Sequence, residues 1–430
     1  MESKECQDPD RGLSDLEDGS NEKSAQAPLA EKESNQTEFT PRACLVLLGA
    51  FGAMFCSVGF VNAFGVFETF YQTDLLSSKS PSQISWLGSF NIFCMFGFTL
   101  LVGWLNDRHG PRVLLIVGSV IMLFALFMTS LCTEYWQLFL AQGFLFGLGL
   151  SFVVLPAFAT VPHYFIKSRA LALGITVSGS SLGGVIWPIA LKNVLYKIGF
   201  GWGVRTAAFI MLPLLAAACL AIRLPARAPS SLKPKPDLSV VKNPILILLA
   251  LGLFFIYLGL FSPFFYVTSW TISRGLDANM AFYMVSIINA ASLFGRIIPG
   301  LLADRFGAYN MMILSALFSG LVCCCWTTAT SMSGIVVLSL AYGFSSGAVI
   351  GLQGACSAQI VEPSQYGVTM GFVMAILSVA GLLGSPINGW ILGQWGFTGL
   401  SLFSGLAMLV GMLVLMVARL KVNAKVLAKA

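Results

Sequence analysis

Gly103-Trp104-Leu105-Asn106-Asp107-Arg108-His109-Gly110-Pro111-Arg112 is a short polar hairpin between two apolar runs, each long enough to cross a bilayer. It recurs 197 positions later as Gly300-Leu301-Leu302-Ala303-Asp304-Arg305-Phe306-Gly307, so glycine, aspartate, arginine and glycine return at one offset. A fixed offset near half the chain length means duplication. The duplicated unit is a set of membrane spans, because apolar runs surround both copies.

Composition agrees. The 430 residues are 57% hydrophobic and 10% charged, with a mean hydropathy of +0.82, too little polar surface to cover a soluble globule of this size. A span needs about 20 apolar residues as helix. Twelve stretches qualify, near 43–67, 84–105, 112–131, 136–158, 168–190, 204–222, 243–267, 281–302, 310–328, 334–356, 367–389 and 398–419. The sequence thus predicts an all-α membrane protein of twelve helices in two six-helix repeats: a tail over 1–42, a half over 43–222, a linker over 223–242, a half over 243–420 and a short tail over 421–430. The linker carries Arg223, Arg227, Lys233, Lys235 and Lys242 among prolines, a composition suited to a solvated connection.

Charge is segregated. Residues 1–40 hold 11 of the 19 acidic side chains, leaving 8 acidic against 21 basic in the remainder. The tail has no apolar core, so it reads as disordered and cytosolic and not as a signal peptide. With the tail in the cytosol, 19 of the 25 Lys and Arg fall on that side and five (Lys79, Lys192, Lys197, Arg205, Arg274) on the other, with Arg296 inside a span. The positive-inside rule then puts both termini in the cytosol. These cations stand singly at the ends of apolar runs, so the net charge of +6 signals topology, not nucleic acid. The ten cysteines show no metal spacing and read as small apolar packing residues. No paired intramembrane carboxylate, zinc-protease motif or phosphate-binding lysine loop points to an enzyme or a cofactor, and transport without a nucleotide site must run on a gradient.

The halves echo each other further. Gly143, Gly147 and Ser151 answer Gly343, Gly347 and Gly351 at an offset of 200, and Gly174 and Gly184 answer Gly371 and Gly381 at 197. Small residues at every fourth position let helices approach closely in lipid. Two such halves describe a rocking carrier with its site between them near the midplane.

The hairpin, Gly103-x-Leu-x-Asp107-Arg108-x-Gly110-x-Arg112, resembles the loop between helices 2 and 3 of the major facilitator superfamily. The runs His163 to Gly174, Ser178 to Gly184 and Phe294 to Arg305 are similar to the helix 5 and helix 8 signatures of its monocarboxylate transporters. Phe60 to Phe67 and Ile84 to Ser89 look like the fungal branch of that family. The resemblance covers about 41–420 and implies alternating access without a cofactor, moving a small carboxylate or other organic metabolite. Animal lactate carriers have a lysine near Asn62 and an aspartate at Ser292. Those differences lean toward the second reading, an exporter of a fungal secondary metabolite. A non-transporting sensor on a carrier fold is the alternative of another class.

Arg296 is the sharpest candidate. An arginine about 10 Å inside span 8 costs several kcal/mol unless it meets a cavity or a partner, and its planar fork suits a carboxylate. The other reading is a side chain that snorkels to the surface. Asn289 and Ser292 share its helix face as polar wall or as packing. Asn62, between Gly59 and Gly65, lines the cavity or bonds to a neighbouring helix. Glu68 is the carboxylate nearest the outer mouth, either a proton carrier or a solvated helix end. Gly103, Asp107, Arg108, Gly110 and Arg112, with Asp304 and Arg305, read as a latch in which Asp107 caps a helix N-terminus or pairs with arginine across the halves. The expected partners are therefore an anionic small molecule, protons and the lipid bilayer.

Overall fold

The computed structural model describes residues 38–225, 238–362 and 365–423. The tail over 1–37 and most of the predicted linker and C-terminal tail lie outside the described residues. Eleven helices there are long and apolar enough to span a membrane. They are α1 (Pro41–Leu75), α2 (Gln83–His109), α3 (Pro111–Thr129), α4 (Tyr135–His163), α5 (Arg169–Ile198), α6 (Phe200–Ala221), α7 (Pro244–Ser273), α8 (Met280–Phe306), α9 (Ala308–Thr328), α10 (Met332–Ala358) and the run Tyr366–Val422. That last run is broken at Gly396, where φ is 65° and ψ −167°, so it holds α11 before the glycine and α12 after it. Twelve spans result.

The break has a counterpart. Gly199 (φ 83°) turns α5 into α6, and Gly396 stands 197 residues further on. Gly110 (φ 82°) and Gly307 (φ 97°) form a second pair at the same offset. Glycine takes this left-handed backbone without the steric cost other residues meet, so the repeated turns depend on it. Helix starts follow local chemistry. Thr40 Oγ1 accepts from the Ala43 N–H ahead of Pro41, Ser80 and Gln83 form a capping box ahead of α2, and Ser331 Oγ accepts from Gly334 N–H at α10.

The helices are apolar all round, as a bilayer requires. Large side chains such as Leu48, Val120, Phe209, Leu251, Phe318 and Leu413 face outward, where hydrocarbon takes the place that water has around a soluble protein. α1 and α4 depart from regular helix: α1 is interrupted at Ser57 and again at Asn62–Ala63, and α4 carries a π-helical stretch, Phe139–Leu145. The nine cysteines among the described residues are free thiols, most of them buried.

The halves meet along two seams, α2 against α11 and α5 against α8. Glycine sets the spacing of both. A Cβ on Gly103 would lie 2.3 Å from the Gly367 carbonyl oxygen, and one on Gly300 would lie 2.8 Å from that of Ala170. A Cβ on Gly371 would sit 2.4 Å from the Thr99 oxygen, and one on Gly174 2.2 Å from the Arg296 oxygen. Every residue in the first of each pair of contacts has its counterpart in the second at an offset of 197. Thr99 and Arg296 therefore hold equivalent places.

Candidate functional site

Both hairpin aspartates accept from backbone N–H groups of the other half. Asp107 Oδ2 accepts from the Val368 N–H at 2.8 Å, at the start of α11 in the other half. Asp304 Oδ1 and Oδ2 accept from the N–H groups of Ala170 and Leu171 at 2.9 and 3.0 Å, at the start of α5. Each carboxylate thus satisfies orphan donors and meets the positive end of a helix dipole across the half boundary. A cap of this kind contributes about 0.5–2 kcal/mol. Of the two roles the sequence left open for Asp107, the geometry realises the helix cap. Arg108, Arg112 and Arg305 are exposed, Arg108 lying over its own helix's Trp104 at 5.2 Å from the ring centroid. Arg169 adds a cross-half bond, its Nη1 donating to the Ala358 carbonyl at the end of α10 at 2.8 Å. Hydrogen bonds therefore join the two halves along the hairpin face.

Glu38, just ahead of α1, fastens the chain to the same corner. Its Oε1 accepts from Ile166 and Lys167 N–H at 2.9 and 2.6 Å and its Oε2 from Ser168 N–H at 3.0 Å, while the Phe39 ring packs on Phe165 at 5.2 Å. Burial alone would push this carboxyl up, but the donated hydrogen bonds of Lys167, Ser168 and Ile166 hold it below the usual carboxylate range. A depressed pKa means the contribution is present above the unfolded value and is lost as pH falls through the folded one. The clasp should hold at neutral pH and release only in acid. Glu38→Gln, which trades charge-assisted bonds for neutral ones, is expected to cost about 1 kcal/mol near pH 7. The difference between the two proteins' unfolding temperatures should shrink below about pH 4, and a gap that persisted there would contradict the assignment.

Midway along the α5–α8 seam lies a polar cluster. Arg296 is only 3% exposed, so it does not snorkel. Its Nη1 donates to the Val177 carbonyl at 2.6 Å and to Ser180 Oγ, both on α5. Its Nε is buried and has no hydrogen-bond partner. Tyr257 of α7 stands within electrostatic reach, its hydroxyl donating to Gln353 Oε1 of α10 at 2.9 Å.

The other sequence candidates gather around this arginine in part. Ser292 is fully buried and receives a hydrogen bond from Ser181 Oγ at 3.2 Å. Asn289 bonds back to its own helix through Val285 O at 3.0 Å, and its Oδ1 faces Gly184. Asn62 Nδ2 donates to Ser180 O at 3.3 Å and also lies against Gly184. Ser292 and Asn62 thus reach across to α5, and Asn289 packs on it. Glu68 lies apart, accepting from Ser85 Oγ of α2, with Tyr266 of α7 in electrostatic range. Ser180, the Val177 carbonyl and Gln353 were not among the binding candidates, whereas Tyr257 was one of the aromatic side chains offered for the cavity wall. The run Ser178 to Ser181, small and polar amid an apolar span, was the available signal for the first. Among the described residues no three His, Cys, Asp or Glu converge on a possible metal position.

Two six-helix halves, mirrored caps and a buried cation between them are the parts of an alternating-access carrier. The chain belongs to the Major Facilitator Superfamily, whose family model matches residues 46–300 and 290–429. It is a multi-pass membrane transporter. It is 66% identical to the agnestins efflux protein AgnL12 of Paecilomyces divaricatus, over 92% of this chain and 91% of that one. It is 42% identical to the aspyridones efflux protein apdF of Emericella nidulans, over 86% and 76%. Among solved structures it is similar to the transporter FucP in the outward conformation, with a TM-score of 0.70 and 17% identity over 89% of this chain and 99% of that one.

Proposed function

We propose that this transporter exports a small anionic organic metabolite of fungal secondary metabolism by alternating access, and that within its superfamily it is of the monocarboxylate-transporter type. The observation that carries the reading is Arg296. A guanidinium buried between the halves with an unpaired Nε is costly as pure structure, and a carboxylate supplies the missing charge and acceptor. The names of the efflux relatives support the outward direction.

On this reading the hairpin face is cytosolic and the membrane is that of the cell surface. Caps at Asp107 and Asp304 close the cytosolic side. When they let go, Arg296 opens toward the cytosol to load, and when they re-form the anion is committed to the outside. Asn62, Asn289 and Ser292 shape the wall. Glu68 is the proton carrier if an imposed pH gradient drives accumulation in proteoliposomes; facilitated diffusion is the mode if it does not.

Deleting the gene and profiling the metabolites of cells and medium tests the export reading. The expected result is an acidic metabolite that rises inside the cells and falls several-fold in the medium. The reverse distribution would make the carrier an importer.

A further inference from the structure

We propose that Ser180 is a positioning residue for anion recognition: with the Val177 carbonyl it ties up Nη1 of Arg296 from the opposite half and so turns the Nε edge of the guanidinium toward the substrate. This rests on the proposed role of Arg296 and adds the residue that aims it. An arginine has five N–H groups. Here the two on Nη1 go to α5, one to the Val177 carbonyl at 2.6 Å and one to Ser180 Oγ. Ser180 spends its own hydroxyl hydrogen on that same Val177 carbonyl at 3.0 Å. Its oxygen is thereby left with lone pairs only, the right polarity to receive Nη1. The three groups form a closed triangle in which the serine acts as a fixed acceptor. The guanidinium plane is rigid, so fixing Nη1 fixes the direction of the remaining edge. The orphan on that edge is Nε, buried and without a partner.

The triangle spans the boundary between the halves, so it exists only while α5 and α8 are together. One helical turn from Val177 along α5 toward the hairpin, Gly174 brings that helix against the Arg296 carbonyl. Below it, Asp304 caps the first turn of α5. Closing the hairpin face therefore also orients the arginine. An anion that loads loosely on a swinging side chain in the open form is gripped in a set geometry once the halves meet. Ser180 thus links grip to closure, and a neutral analogue of the same shape gains nothing from it.

The test uses the full-length protein in detergent, with benzoate and phenylacetate as probes beside their neutral amides, and reads the probe concentration that half-saturates the rise in unfolding temperature. Ser180→Ala and Ser180→Cys, the second keeping volume with a weak acceptor, are expected to raise that concentration for the carboxylates about ten-fold. Ser180→Thr, which keeps the hydroxyl, should stay near wild type, and the amides should shift none of the four proteins. Carboxylates that stabilise the Ala and Cys variants at wild-type concentrations would overturn the positioning role while leaving the anion reading of Arg296 intact. Carboxylates that fail to stabilise the wild type, or do so no better than the amides, would overturn both.

Discussion

Arg296→Lys should leave the carrier folded and in its membrane yet cut flux of the proposed anionic substrate by about 30- to 100-fold in proteoliposomes. The charge is kept, so the loss measures geometry. Lysine is a single point donor on a flexible stem and cannot hold the Val177 carbonyl and Ser180 while presenting a second, rigid edge. Losing one arm of a bidentate, charge-assisted contact costs about 2–3 kcal/mol, which is that factor in affinity. Arg296→Met supplies the opposite control. It removes a buried charge with no carboxylate bonded to it among the described residues, and apolar replacement of such groups is often stabilising. Flux should vanish while the unfolding temperature rises. A lysine variant with undiminished flux would remove Arg296 from the binding site.

Gly103→Ala and Gly174→Ala should each shift the carrier toward the form open at the hairpin face and reduce transport at least about ten-fold. Their new methyl groups would meet backbone oxygens at 2.3 and 2.2 Å, and a carbonyl cannot rotate away as a side-chain tip can. The seam must open, at a cost of about 1–3 kcal/mol, comparable with what the aspartate caps contribute. Spin-label distances across the hairpin face, between the ends of α2 and α11 or of α5 and α8, would report the shift. Gly52→Ala is the internal control, since nothing lies within 4 Å of its added carbon. Equal behaviour of all three variants would mean that the seams do not govern opening.

How much of this was legible in the sequence differs from residue to residue. The 197-residue offset exposed Asp107 with Asp304 and Gly174 with Gly371, and twelve apolar runs gave the spans. Periodicity could not show that the matched residues cross over in space, Gly103 meeting Gly367 while Gly300 meets Ala170. A repeat identifies equivalent positions, and which of them touch depends on how the halves dock. Arg296 stood out by the cost of burying it, but its tether was hidden because one anchor is the Val177 carbonyl, and a main-chain oxygen leaves no trace in residue identity. Spacing put Asn289 and Ser292 on the helix face of Arg296. What they meet there is α5, which no spacing argument supplies. The resemblance implied a carrier of a small carboxylate, with export of a secondary metabolite as the alternative; the efflux relatives bring export forward.

Thr99 and Arg296 occupy one socket in two copies. In the first, Thr99 Oγ1 is satisfied locally by Phe96 O and across the seam by Gly371 O at 3.1 Å, so the socket is neutral and complete. In the second it is charged and incomplete. The two copies thus share one joint and differ in its charge: the close helix contact at Gly371 and at Gly174 is made through the backbone oxygens of Thr99 and Arg296, so the side chain at this socket can change without altering the contact that spaces the seam.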